Sequence, residues 1–232
     1  MSAALDWSRI DTVLCDMDGT VLDLGFDNHF WMDAIPTAWG ERRGLSCDEA
    51  RQALLPLFER NRGQLHWYCV DFWTRELGLD VRALKDDHAH RIAWLPGVEP
   101  TLRALRAQGV EMVLLTNAHP HVLEVKQRRT NLLQHFDRAH STHEFGRPKE
   151  QPAFWPNFAR ATGIDLPRAL MIDDTDTVLD GALAGGVGQV LAVQQPSTRH
   201  PARCFAGRFV QVHTLAELTL PPLPSTSQVP QG

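Results

Sequence analysis

Four short apolar runs, each of strand length and each stopping at polar or turn residues, constrain this chain more than any other feature. Thr12 to Cys15 ends at Asp16, with Gly19 and Thr20 supplying turn chemistry directly afterwards. Glu111 to Leu115 stops before Thr116-Asn117, Ala169 to Ile172 stops before Asp173-Asp174, and Gln189 to Val193 runs out near Pro196. Helical patterns fill the intervals: Val98 to Gln108 closed by Gly109, His121 to Leu133, Pro152 to Thr162 closed by Gly163, and Thr175 to Ala184 closed by Gly185-Gly186. Pro156 lies within the third of these, so that helix should start late or kink. Strands alternating with helices imply an α/β fold built on a doubly wound parallel sheet.

Between the first and second strands the pattern changes. From about residue 24 to 95 the strand signal vanishes. Ser46 and Glu49 form a capping box ahead of a helix over Ala50 to Arg60, His66 to Leu77 reads as a second helix closed by Gly78, and Asp80 caps a third running to about Ala93. The chain therefore divides into a core over 1–23 and 96–220, a helical insertion over 24–95, and a tail over 221–232. That tail is rich in Pro, Ser and Gln and is expected to be disordered.

Where the strands end matters for function, because in an open parallel sheet ligands bind beyond the carboxyl ends of the strands. That edge collects Asp16-Met17-Asp18-Gly19-Thr20, Thr116-Asn117 and Asp173-Asp174, with Lys149 in the loop before the Pro152 helix. Each cluster alone has a bland reading: a strand-ending turn, ordinary turn material, a helix N-cap, a solvated lysine. Four in this order at strand ends point to a site. Carboxylates at Asp16, Asp18, Asp173 and Asp174 would repel one another unless a cation sat among them. Magnesium suits such a site, since it takes one or two carboxylates and keeps positions for water and phosphate oxygens. Lys149 and the loop amides would complete a pocket for a dianion.

Composition narrows the partners. The 232 residues carry 23 Lys plus Arg against 28 Asp plus Glu, a formal charge of -5 that offers no broad basic face for nucleic acid. No stretch approaches the ~18 apolar residues of a membrane span, and the first residues lack the apolar region of a secretion signal. Cys15, Cys47, Cys69 and Cys204 lie far apart without C-x-x-C spacing, which favours a reduced, cytoplasmic chain. A small phosphorylated metabolite is the expected partner, with no obligate protein partner evident.

The ordered set of strand-end clusters resembles the haloacid dehalogenase-like hydrolase superfamily, whose four motifs match Asp16 and Asp18, Thr116, Lys149, and Asp173 with Asp174. The likeness spans roughly Ile10 to Val193, and the helical insertion stands where that family carries its cap domain. The strings LDLGFDNHFW, HWYCVDFW, LLTNAHPH, STHEFGRPKE and MIDDTDTVLD are similar to the bacterial GMP/IMP 5′-nucleotidase branch. The resemblance implies that Asp16 attacks phosphorus and that Asp18 protonates the leaving oxygen and then activates water. It also implies that magnesium is held by Asp16, by Asp174 and by the main-chain carbonyl of Asp18. Thr116, the amide of Asn117 and Lys149 would neutralise the phosphoryl oxygens, with Asp173 orienting Lys149. Asp18 separates this chain from the family's dehalogenases, which lack that residue. The chain departs from the commoner fourth motif at Val178, where a further Asp is usual.

Selectivity for a purine nucleotide would have to come from the insertion, where Arg62, His66, Trp67 and Tyr68, with Gln64 and Trp73 nearby, offer stacking faces and hydrogen bonds. Core packing is the bland reading of Trp67, Tyr68, Phe72 and Trp73, which recur at helical spacing. His119 and His121 suggest a metal pair, but no third ligand accompanies them at a suitable spacing, so a role at a helix start is preferred. Gly185, Gly186 and Gly188 lack the order of a dinucleotide-binding loop. Two rivals remain: a sugar-phosphate phosphatase or phosphomutase on the same scaffold, and a phosphate-ester sensor without turnover.

Overall fold

The computed structural model describes residues 4–221. Its centre is a six-stranded, wholly parallel sheet: β1 (Thr12–Cys15), β2 (Glu111–Thr116), β3 (Arg138–Ser141), β4 (Ala169–Asp173), β5 (Gln189–Val193) and β6 (Val210–Val212), in the order β3-β2-β1-β4-β5-β6. Both faces are covered, so the inner strands read as continuous apolar runs. Val13 and Cys15 face one core with Met112, Leu114, Leu170 and Ile172, while Leu14 faces the other with Val113, Leu115 and Met171. The strand order reverses at β1, between β2 and β4. The carboxyl ends of β1 and β4 therefore flank the switch point where the crevice of such a sheet opens.

Two strands escaped the reading of the sequence, and both are edge strands. β3 is Arg-Ala-His-Ser with only Ser141 buried, and β6 has three residues, none buried. Edge strands need no apolar run, because one side of their ladder meets solvent.

Helices α6 (Val98–Ala107), α7 (Pro120–Thr130), α8 (Phe154–Thr162) and α9 (Asp176–Ala184) connect the strands. Pro156 falls in the first turn of α8, which starts two residues later than the sequence suggested; there a missing amide hydrogen costs nothing. Residues 24–95 hold α1 (Gly25–His29), a π-helical turn over Phe30–Ala34, α2 (Ile35–Glu41), α3 (Cys47–Asn61), α4 (Val70–Leu77) and α5 (Val81–Asp87). The Ser46–Glu49 capping box is present, and Asp80 caps α5 through Ala83. The helix expected over His66 to Leu77 is divided: a 3-10 turn covers Leu65–Tyr68, Cys69 is extended, and α4 follows. The expected third helix stops at Asp87, with a 3-10 turn at Ala89–Arg91. The disorder expected of 221–232 lies, from 222 onward, outside the described residues.

Candidate active site

Asp16 follows β1, with its amide bonded to the Ile172 carbonyl at 3.0 Å. The loop then folds tightly, Val21 and Leu22 both donating to the Met17 carbonyl. Gly19 makes this possible. Its φ of 91° is open to glycine, and a Cβ there would stand 2.6 Å from Asp174 Oδ2. The loop is thereby pressed against the end of β4.

Lys149 is the hub. Its Nζ donates to Asp16 Oδ1 at 2.5 Å, to Asp173 Oδ2 at 2.7 Å and to the Leu115 carbonyl at 3.0 Å, so all three ammonium protons are placed. Its backbone is equally fixed, the amide donating to Asn117 Oδ1 and the carbonyl accepting from Trp155 Nε1, each at 3.0 Å. Gly181 lets α9 lie against this loop, since a Cβ would approach the Lys149 carbonyl to 2.8 Å. Burial pulls the Lys149 ammonium towards neutrality, but the Asp16 and Asp173 carboxylates more than reverse that, and it stays a cation.

The carboxylates outnumber this lysine. Asp16, Asp173 and Asp174 are all buried, and one oxygen of each lies within 4.8 Å of the others. Asp173 Oδ1 accepts the Thr175 amide at 2.9 Å. Asp174 Oδ2 accepts no hydrogen bond, although a partly exposed Arg203 guanidinium stands 2.8 Å away. Burial pushes Asp16 well above the ordinary carboxylate range, with Asp173, Asp174 and Asp18 adding to the effect against Lys149. Burial and the neighbouring Asp173 raise Asp174 to about 7. Surplus negative charge on three buried, mutually close carboxylates, all hard oxygen donors, fits a divalent cation such as Mg2+.

Thr116 and Asn117 end β2. Thr116 Oγ1 accepts the Ala118 amide at 3.0 Å. Asn117 Nδ2 donates to Glu150 Oε2 at 2.9 Å, and the other oxygen of Glu150 accepts from the Tyr68 hydroxyl. Glu150, which sequence reasoning missed, therefore links a residue of the insertion to the Lys149 loop. Its only signal was adjacency to Lys149.

A second network was also unforeseen. Lys126 Nζ binds the Asp18 carboxylate and, at 2.6 Å, Asp27 Oδ2; Lys85 Nζ binds Asp27 Oδ1 at 2.7 Å and lies over the Phe30 ring at 4.1 Å. Both lysines are buried. A faint signal existed, because Lys126 stands four residues after buried Val122 and Lys85 four after buried Val81, each on an apolar helical stripe. Burial disfavours the Asp27 anion, yet Lys126 and Lys85 hold it well below the usual range. Asp18 stays above that range, burial and Asp27 outweighing Lys126.

All these strand-end groups line one cavity of about 800 Å³, which continues to Arg62, Trp67 and Tyr68, with Trp31 and Asn28 from α1 and the turn after it. The Trp31 and Trp67 rings stand 6.2 Å apart, inclined by 20°. His66 does not line the cavity: it bonds Asn61 Oδ1 at 2.8 Å and packs on Phe72. Trp73 is wholly buried, its indole donating to the Trp67 carbonyl, so it serves packing. His119 caps α7, its Nδ1 accepting the His121 amide at 3.2 Å. Val178 lines the cavity from α9, and the carboxylates on Lys149 are those of Asp16 and Asp173.

A parallel sheet whose switch point gathers this aspartate pair, lysine and acidic cluster defines a hydrolase class, and residues 10–186 match the family model for haloacid dehalogenase-like hydrolases. The chain belongs to that family, and it is an enzyme. It is 41% identical over 210 residues to the GMP/IMP nucleotidase YrfG of Escherichia coli, covering 87% of this chain and 95% of that protein. Identity to the 6-phosphogluconate phosphatase of the same organism is 21%, over 91% of this chain and 95% of that one. The fold matches the crystal structure of a HAD phosphatase from Thermococcus onnurineus with a TM-score of 0.75 at 23% identity, covering 90% of this chain and 95% of that one. No helix among the described residues is long and apolar enough to cross a membrane.

Proposed function

We propose that this chain hydrolyses a purine nucleoside 5′-monophosphate, GMP or IMP, through an aspartyl-phosphate on Asp16. The observation that carries the reading is one continuous cavity with a charged phosphoryl end and an aromatic, Arg62-bearing end. The 41% identity to a GMP/IMP nucleotidase points the same way. Residues 24–95 act as a cap over a core of 1–23 and 96–220. Four free cysteines suit a reducing cytoplasm.

Mg2+, held by Asp16, Asp174 and the Asp18 carbonyl, would supply positive charge to the phosphoryl oxygens. The Asp16 carboxylate attacks phosphorus, the bond to the 5′ oxygen breaks, and the Asp18 carboxyl gives its proton to that oxygen. Water then attacks the phosphoryl group, Asp18 takes back a proton, and Asp16 is released with inorganic phosphate. Lys149, Thr116 and the Asn117 amide neutralise the phosphoryl oxygens, and Asp173 fixes Lys149. The raised Asp18 pKa suits a group that must carry a proton in one step and lose it in the next. At the other end Arg62 has donors only, which matches O6 and N7 of a 6-oxopurine and mismatches the amino group of adenine.

Catalytic efficiencies on IMP, GMP, AMP, UMP and glucose 6-phosphate, measured with magnesium, test the reading. The 6-oxopurine nucleotides should lead. Equal efficiency on all five removes the nucleotidase assignment and leaves a general phosphatase, while a lead for glucose 6-phosphate supports the sugar-phosphate alternative.

A further inference from the structure

His119 appeared without a third ligand in the sequence because the missing partners are distant in the chain. Cys69, His119 and His143 each place one ligand atom within 4.8 Å of the other two. None of the three lines the large cavity. They come from separate places: Cys69 precedes α4 in the insertion, His119 precedes α7, and His143 lies in the turn after β3.

The three side chains have donor atoms to spare for a ligand. His143 Nε2 is buried and has no hydrogen-bond partner. A buried ring nitrogen left without a partner is the kind of donor that a metal ion satisfies. The Cys69 side chain makes no capping hydrogen bond, although Cys69 occupies the N-cap position of α4. His119 makes two long contacts, the His121 amide at 3.2 Å and Asp71 Oδ2 at 3.6 Å, so freeing one nitrogen gives up little. Asp71 is itself held by Arg82 at 2.7 and 2.8 Å, which leaves it an outer partner.

We propose that Cys69, His119 and His143 form a second metal site, for a thiophilic divalent cation such as Zn2+, that joins the insertion to the core. One thiolate and two imidazoles select zinc over magnesium, and three protein ligands leave a fourth position for water. Binding expels the Cys69 thiol proton to solvent and needs no redox step. Because Cys69 follows Tyr68, whose hydroxyl bonds Glu150, the ion would sit beside the existing link between insertion and core.

The test uses the full-length protein with Co2+ as a probe and Zn2+ in equilibrium dialysis, both in excess Mg2+. The wild type should show a thiolate-to-cobalt charge-transfer band and retain Zn2+. Cys69→Ser should abolish the band, and Cys69→Ser and His143→Gln should each weaken Zn2+ binding at least about tenfold, the low end even for loss of an outer partner. Cys47→Ser and Cys204→Ser should change neither. Circular dichroism melts confirm folding, and the nearly isosteric Cys69→Ser keeps the test valid if His143→Gln unfolds. Absence of the band overturns the proposal, as does Zn2+ binding unaffected by Cys69→Ser but lost in Asp174→Asn.

Discussion

Two buried charge clusters meet at the end of β1, and they are built on opposite accounts of charge. Around Lys149, the carboxylates of Asp16, Asp173 and Asp174 exceed the cations, even with Arg203 at the rim. Around Lys126, Asp18 and Asp27 face Lys126 and Lys85, and the charges cancel. Most pKa directions follow: Asp16 and Asp174 are pushed up and Asp27 is held down, while Asp18, where the clusters meet, is raised because burial and Asp27 outweigh Lys126. A buried surplus of anions is unfavourable unless a ligand relieves it, so the first cluster fits a cation. A balanced cluster asks for nothing from outside. Its use is to hold Asp18 in place, two residues from Asp16, the proposed nucleophile.

The sharpest way to break this division is at Asp16. Asp16→Asn keeps the shape, removes the anion proposed to attack phosphorus and lowers the surplus by one charge. Turnover should fall on the order of 10⁴-fold or more, equally for every substrate. Phosphate release from IMP and from p-nitrophenyl phosphate checks this; substantial activity in the purified variant shows that the nucleophile lies elsewhere.

Next in size is Lys126→Met, which unbalances the second cluster and spares the first. Asp18 loses the cation that lowers its pKa, so the apparent pKa tied to Asp18 should move up. Turnover should drop by about 10²-fold, the low end for general acid–base catalysis. The magnesium requirement should not change. Because a lone unpaired charge is strongly destabilising, the double variant Lys126→Met with Asp27→Asn restores the charge balance and should melt closer to wild type without recovering turnover. A pH–rate profile identical to wild type in either variant would show that Lys126 supports the fold alone.

This contrast also explains what the sequence disclosed. Asp16, Asp18, Thr116, Lys149, Asp173 and Asp174 were legible because each sits at a strand end or in a loop at one edge, where the period of the fold assigns a place to polar residues. Lys126, Lys85 and Asp27 were not, because a lysine on an amphipathic helix ordinarily reads as solvated and only packing shows it buried. The insertion was readable as helical but not in its interruptions. Cys69 breaks the pattern that ran from His66 to Leu77, and that break sets Trp67 and Tyr68 on the cavity while His66 turns away. β3 and β6 were invisible for the plain reason that edge strands carry little apolar signal.

The smallest effect is thermal and depends on pH. Asp174 has an ordinary pKa of 3.8, raised in the fold to about 7, so the native state holds this proton more tightly than the unfolded chain does. A raised carboxylate contributes stability that is complete below the unfolded value and lost as pH rises through the folded one. The metal-free protein should therefore lose stability between about pH 4 and pH 7 on this account, and Asp16 shifts in the same direction. A cation takes the place of the proton. With Mg2+ at tenfold its dissociation constant at pH 8, the gain is about 1.4 kcal/mol, or roughly 3–6 °C in Tm. At pH 5 a proton competes for the same oxygens and weakens binding by about 100-fold, so the shift should be under about 1 °C. Differential scanning calorimetry at both pH values, with NaCl matched for ionic strength, reads the difference. Asp174→Asn should erase it. An equal Mg2+ shift at pH 5 and pH 8 would mean that the surplus carboxylates are not where the cation binds, and the contrast between the two clusters would fail.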